Sequence, residues 1–203
     1  MNKIMIAALG AVLGAASLSA AAADANGAFS INAAVGQAQY HVGHTDGLGY
    51  KLDDKDTAGA LRFGYAWRVA PAFNLGVEGG YADLGKLVAK YNDGTNFAKA
   101  DLTARGWMLG GNGKYNFADN WYVSARAGWF RSDLKATSTV GTAHASNSAH
   151  GNGWYGGVGV GYDFAPNFSL GLNYDNYHAK AKYDGQSEGG NVGTYMLSAE
   201  YRF

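Results

Sequence analysis

Over long stretches of this chain, bulky apolar residues occupy every second position. Between Trp154 and Phe164, one side of an extended chain carries Trp154, Gly156, Val158, Val160, Tyr162 and Phe164, and the other carries Tyr155, Gly157, Gly159, Gly161 and Asp163. A period of two marks a strand whose faces meet different surroundings. It recurs through Leu61, Phe63, Tyr65 and Trp67, then Leu75, Val77, Gly79 and Tyr81. Trp107, Leu109 and Tyr115 continue it, followed by Val123, Ala125, Ala127 and Trp129, and then by Phe168, Leu170, Leu172 and Tyr174. An opening run (Phe29, Ile31, Ala33, Val35) and a closing run (Tyr195, Leu197, Ala199, Tyr201, Phe203) bring the predicted strands to eight.

Three short segments rhyme: Val69-Ala-Pro-Ala-Phe73, Phe117-Ala-Asp-Asn-Trp121 and Phe164-Ala-Pro-Asn-Phe168. From Pro71 to Asp119 to Pro166 the intervals are 48 and 47 residues, the spacing of a repeated unit. Each rhyme has the chemistry of a tight turn, with proline presetting φ or Asp and Asn bonding their own backbone. The opposite strand ends are joined by polar stretches at Gly43 to Thr57, Lys86 to Lys99, Leu134 to Asn152 and Lys180 to Asn191, which read as long loops. Short turns at one end and long loops at the other predict an all-β fold, an eight-stranded antiparallel up-and-down transmembrane β-barrel with both termini at the turn end.

A secreted, lipocalin-like barrel would show the same period with its apolar face inward. Two features favour lipid outside and a polar lumen. Small and charged residues dominate the second face, and a narrow eight-stranded lumen suits them. Aromatics also gather at strand ends: Trp67, Phe73, Tyr115, Phe117, Trp121, Tyr162, Phe164 and Phe168 near the turns, with Trp107, Trp129 and Trp154 farther along. Such girdles mark membrane interfaces.

Composition narrows the rest. The 203 residues suit a single domain, and their 16 basic and 16 acidic side chains give no field for nucleic acid. The absence of cysteine removes disulfides and thiolate metal sites. Lys3, the apolar run Ile4 to Leu18 and Ala21-Ala22-Ala23 read as a signal peptide over residues 1–23, cleaved before Asp24, with the barrel over 24–203. A retained membrane helix is the competing reading, diluted by Gly10, Gly14, Ser17 and Ser19. The expected location is the bacterial outer membrane.

The segment Leu75-Gly-Val-Glu-Gly-Gly-Tyr-Ala-Asp-Leu-Gly-Lys86, with Ser124-Ala-Arg-Ala-Gly128, Gly157-Val-Gly-Val-Gly-Tyr162 and Leu197-Ser-Ala-Glu-Tyr-Arg-Phe203, resembles the transmembrane domain of OmpA-like outer-membrane proteins. The resemblance covers roughly Leu61 to Phe203. It implies that the closing aromatics Tyr195, Leu197, Tyr201 and Phe203 are the signal read by the outer-membrane insertion machinery. It also implies a lumen plugged by inward charges, in which a strand-three glutamate alternates between basic partners. Glu78 matches that glutamate and Arg126 an inward arginine. Gly171, Asn112 and Gly161 replace a further arginine, a lysine and an acid, so the set is altered. No peptidoglycan-binding segment follows Phe203, and wall anchoring is not expected. By parity Arg62, Lys114, Asp163, Asp175, Glu200 and Arg202 also face inward, with Glu78 and Arg62 or Arg126 as the expected central pair. Filling and neutralising the lumen is the simpler role for these charges.

Other chemistry is weaker. His41, His44, His144, His150 and His178 fall in or near polar stretches. A lipid A-modifying enzyme could use His144 with Ser146 or Ser148, but no acid is evidently placed to orient a histidine. Asp53, Asp54 and Asp56 lack the glycine and distal glutamate of a calcium loop. The glycines at 157, 159 and 161 lack the strand-to-helix setting of a dinucleotide site. The expectation is therefore a monomeric, non-enzymatic barrel needing no cofactor or metal. Its contacts would be with outer-membrane lipid and lipopolysaccharide, and its role structural and surface-interacting, with weak permeation of small solutes or ions. An adhesin acting through its external loops is the alternative.

Overall fold

The computed structural model describes residues 26–40, 50–92, 97–140, 143–183 and 186–203; the signal-peptide expectation, His41 and His44 lie outside them. The strands are β1 (Gly27–Tyr40), β2 (Tyr50–Asp53), β3 (Lys55–Ala70), β4 (Phe73–Asn92), β5 (Phe97–Ala118), β6 (Trp121–Val140), β7 (Ala143–Ala165), β8 (Phe168–Tyr183) and β9 (Gln186–Arg202). Every pairing is antiparallel, and β9 closes on β1 from Ser30↔Arg202 to Tyr40↔Val192. Since β2 and β3 both pair with β4 and are separated only at Asp54, they form one wall, and the barrel has eight. Closure leaves no ladder edge in the barrel wall, the condition for a sheet to sit in hydrocarbon.

The three rhyming segments share one geometry. Each is a two-residue turn, Pro71-Ala72, Asp119-Asn120 or Pro166-Asn167. Each follows a register slip in the entering strand, at Arg68/Ala70, Asn116/Ala118 and Asp163/Ala165. Asp119 takes φ 21°, a conformation Asp tolerates better than most residues. The residue before each slip donates its N–H to the preceding corner of the rim: Asn116 to Ala72 O (2.9 Å), Asp163 to Asn120 O (2.8 Å) and Arg68 to Asn26 O (2.8 Å). Arg202 completes the ring by donating to Asn167 O at 2.8 Å. The interval in the sequence is thus the repeat of one rim unit.

The opposite end departs from expectation. The described residues of the stretches read as long loops are mostly paired strand: β4 and β5 pair out to Asn92↔Phe97, β6 and β7 to Val140↔Ala143, and β8 and β9 to Tyr183↔Gln186. Ladder hydrogen bonds need no apolar side chains. Where both faces of a sheet meet water, the apolar–polar alternation fades although the strand continues. A kink at β4 marks the change, with register slips between Asp83 and Lys86 and Gly85 at φ 74°. Asp56 and Asp83 hold it by accepting the N–H of Lys86 (2.8 Å) and Gly85 (3.0 Å), while Tyr40 OH donates to the carbonyls of Leu84 and Gly85.

The outward face is the apolar one. Val158 and Leu172 are 60% and 62% exposed, and Phe63, Leu75, Val77, Leu109 and Val123 stand out beside them. Trp67 and Trp121 lie in a band with Tyr115, Phe117 and Phe164, and Trp107, Trp129 and Trp154 in a second band, all exposed. Eight residues separate Trp121 from Trp129, about 26 Å along a strand, or roughly 20 Å of height at a tilt near 40°. That approaches the apolar belt of an outer-membrane barrel. The closing stripe Tyr195, Leu197, Tyr201 and Phe203 lies on this face beside the β1 seam, where Phe203 N–H donates to Phe29 O at 2.9 Å.

Candidate functional site

Inside the barrel, the expected lumen charges gather in two layers. Nearest the turns, Asp163 accepts from Lys114 Nζ (2.6 Å), Asn116 Nδ2 (2.8 Å), Ser169 Oγ (2.5 Å) and Arg202 Nη2 (3.1 Å). Glu200 lies 3.9 Å from Arg202 Nε. One acid thus holds two cations from distant strands, which ties β5 and β7 to the closing strand β9.

The second layer is deeper. Arg62 Nη2 donates to Asp175 Oδ2 at 2.7 Å and to Tyr177 OH at 3.0 Å, and Nη1 reaches Asn32 Oδ1 at 3.3 Å. Arg126 approaches the same acid, Nε to Oδ1 at 3.7 Å, and donates to Asn173 Oδ1 at 3.0 Å. Both arginines therefore converge on Asp175. Glu78, the expected partner of one of them, instead accepts from two neutral donors: Tyr155 OH at 2.8 Å and Asn112 Nδ2 at 2.9 Å. The reason is register. Arg126, Gly157 and Asp175 lie in one row of paired residues, as do Glu78, Gly110, Gly128 and Tyr155.

Glycine makes both rows possible. A side chain at Gly157 would strike the Asp175 carboxylate, so the bare β7 backbone lets β6 and β8 side chains meet across it. Tyr155 lies over Gly128 and Gly110 to reach Glu78, and a Cβ at Gly128 would sit 2.8 Å from its ring. The period-two glycines of β7 are thus the floor of a side-chain network.

Around and below the deep layer is a cavity of about 520 Å³, lined by Asn32, Arg62, Glu78, Asn112, Lys114, Ser124, Arg126 and Arg202 and reaching the rim at Gly27 and Asn167. Arg62 Nε and Arg126 Nη1, on residues that border it, and Asp175 Oδ1 beside them are buried without a protein hydrogen-bond partner, and the space is large enough to admit water to such groups. Beyond Glu78 and Arg62 the interior changes character. Tyr40, Leu84, Met108, Phe130, Tyr155, Tyr177, Val192 and Met196 form one buried cluster, with Phe130 and Tyr177 5.1 Å apart and Tyr155 stacked on Tyr177 at 6.0 Å. The inward face is a polar half enclosing a cavity, beneath an aromatic plug. Parity places these aromatics inward from sequence alone; the polar majority of the face concealed them.

The model of the outer membrane protein beta-barrel domain matches residues 8–203. The chain belongs to this family. Its members reside in the bacterial outer membrane, with short turns periplasmic and the other end outside. Among solved structures, the barrel is similar to Ail, the attachment invasion locus protein of Yersinia pestis, at 19% identity over 88% of this chain and 98% of that one, TM-score 0.49. It is also similar to OprG from Pseudomonas aeruginosa, at 15% identity over 88% and 96%, TM-score 0.46. A third is a major outer membrane protein from Thermus thermophilus, at 16% over 87% and 99%, TM-score 0.45. No curated protein matches the chain.

In the barrel's frame the polar cavity opens to the periplasm, and the plug lies toward the outside. Beyond the outer Trp band, Asp133 and His150 face each other across β6 and β7, and the Asp133 carboxylate engages His150 Nδ1. This partner went unseen in the sequence because only register brings the two together. Ser148 shares that strand, but His150 bonds no serine among the described residues, so the nucleophile–base contact of a hydrolase is not formed. The side chains of His144 and Asp53 lie outside the described residues. Asp56 of the acidic trio serves the β4 kink.

Proposed function

We propose that this outer-membrane barrel is closed to steady permeation and works through its outer surface, presenting a raised sheet to partners outside the cell. The observation that carries the reading is the filled outer half of the lumen: Tyr155, Tyr177 and Phe130 are at most 1% exposed. A channel would need that cross-section empty. The strands rising past Trp107, Trp129 and Trp154 support a role outside, since a barrel that merely filled the membrane would turn at the interface.

Planar-bilayer recording tests the closed lumen. The wild-type barrel should give no steady open level, and Tyr155→Ala, which removes a ring bridging three strands, should give frequent openings. A steady wild-type pore indifferent to Tyr155→Ala would overturn the reading. For the outer role, chains whose hairpins β4–β5 and β6–β7 are trimmed to the outer Trp band should insert normally. Labelled nanodiscs carrying the wild type should bind cell surfaces, and those carrying the trimmed chains should not.

A further inference from the structure

The raised sheet does not close on itself. Below the outer Trp band β7 pairs with β8, and the ladder's last rung is Trp154↔His178. Beyond it, β8 continues with β9 out to Tyr183↔Gln186, whereas Ala143–Gly153 of β7 pairs only with β6. Gly153 still abuts the His178 carbonyl, so among the described residues the ten positions Ala143 to Asn152 of β7 present an unpaired backbone edge outside the membrane. Natural edges are guarded by proline, lysine or inward charge. The segment Ala143-His-Ala-Ser-Asn-Ser-Ala-His-Gly-Asn-Gly153 has none of these, and Ser146, Asn147, Ser148 and His150 are exposed.

The middle of this segment reads identically in both directions. His144-Ala-Ser-Asn-Ser-Ala-His150 is a palindrome centred on Asn147. Antiparallel pairing of two copies about that centre would set Asn147 opposite Asn147, Ser146 opposite Ser148, Ala145 opposite Ala149 and His144 opposite His150. A two-fold makes every such contact reciprocal, and the palindrome adds that each rung pairs side chains of equal size and kind, with serine on serine and asparagine on asparagine.

We propose that the β7 edge is a homophilic docking strand, and that its occupant is the β7 edge of a second copy of this chain, joined by strand addition. The proposal rests on the outer-surface role above and names its partner. Direction then fixes where that copy sits. Within one membrane all copies point β7 from outside toward the periplasm, so upright neighbours offer parallel strands. Antiparallel mates come from copies facing each other across two membranes. Asn147 lies seven residues beyond Trp154, about 23 Å along the strand and roughly 18 Å above the interface at a tilt near 40°. The contact therefore joins closely apposed surfaces, and long surface saccharide screens it.

The chain has no cysteine, so introduced thiols report register cleanly. Asn147→Cys barrels in two differently labelled populations of phosphatidylcholine vesicles should form a disulfide-linked dimer between populations under mild oxidation. Ser146→Cys vesicles should cross-link with Ser148→Cys vesicles and not among themselves. Lys135→Cys, exposed on the next strand, should stay monomeric. Asn147→Lys should abolish vesicle clustering, because lysine would face lysine across the two-fold, and mixing Asn147→Lys with Asn147→Asp vesicles should restore it. Cross-linking that ignores these positions, dimers confined within one vesicle, or clustering unchanged by Asn147→Lys would each overturn the proposal. Loss of cell-surface binding on trimming the hairpins, with none of this register pattern, would instead indicate a different partner for the same sheet.

Discussion

Neutralising Asp175 is the sharpest test of the lumen. Its carboxylate is fully buried, with Arg62 Nη2 at 2.7 Å and Arg126 Nε at 3.7 Å, and Arg62 itself is 2% exposed. At an effective dielectric near 20, two unit charges 2.7 Å apart attract by about 6 kcal/mol, and desolvation of both ions offsets most of that. The pair's net worth is therefore small, while stranding one partner is costly. Asp175→Asn should lose about 3–5 kcal/mol of unfolding free energy because two arginines are left facing each other without an acid between them. Arg62→Gln should cost somewhat less, since Arg126 still faces Asp175. In the double variant the losses should fall short of their sum by about 1.5–3 kcal/mol. Urea unfolding of the refolded barrel in lipid, followed by fluorescence of the tryptophans, measures all four corners of the cycle. If the 520 Å³ cavity hydrates the pair so well that it behaves like a surface ion pair, each single change costs only about 0–1 kcal/mol and the cycle is additive within about 0.5 kcal/mol. That result would refute the buried-pair account.

Three further outcomes follow from the same geometry. Gly128→Val places its Cβ 2.5 Å from Gly110 Cα and 2.8 Å from the Tyr155 ring, so it should destabilise the barrel by at least about 1–3 kcal/mol, read by the same unfolding assay. Deleting Phe203, which closes the aromatic stripe at the β1 seam, should reduce the folded, heat-modifiable fraction in outer-membrane preparations; undiminished assembly would show that the stripe is not a recognition signal. Brominated lipids should quench a Val158→Trp variant most strongly when the bromine lies deep in the acyl chain. Quenching of Trp67, Trp121 and Trp154 should be strongest when it lies near the headgroup, because Val158 lies between the two aromatic bands.

Parity divided each strand into two faces, because hydrocarbon imposes a strict demand on every second residue, and the small and charged second face with the aromatic bands assigned the apolar one to lipid. It also assigned Arg62, Glu78, Lys114, Arg126, Asp163, Asp175, Glu200 and Arg202 to the interior. Two things were not legible. Strand length beyond the membrane was one, since water on both faces removes the alternation while the ladder runs on to Val140↔Ala143. Charge partnership was the other. Parity gives a side chain's face but not its height, and height depends on the stagger accumulated around the barrel, which brings Arg62 to Asp175 from 113 residues away. A stronger sequence signal was available than charge. On the inward face Tyr155 pairs in register with Gly128, which pairs with Gly110, and Arg126 meets Asp175 over Gly157. In a narrow barrel a large inward side chain needs bare backbone on the strands it crosses. The positions of inward glycines therefore predict which way each long side chain lies, and through that, which charge it can reach.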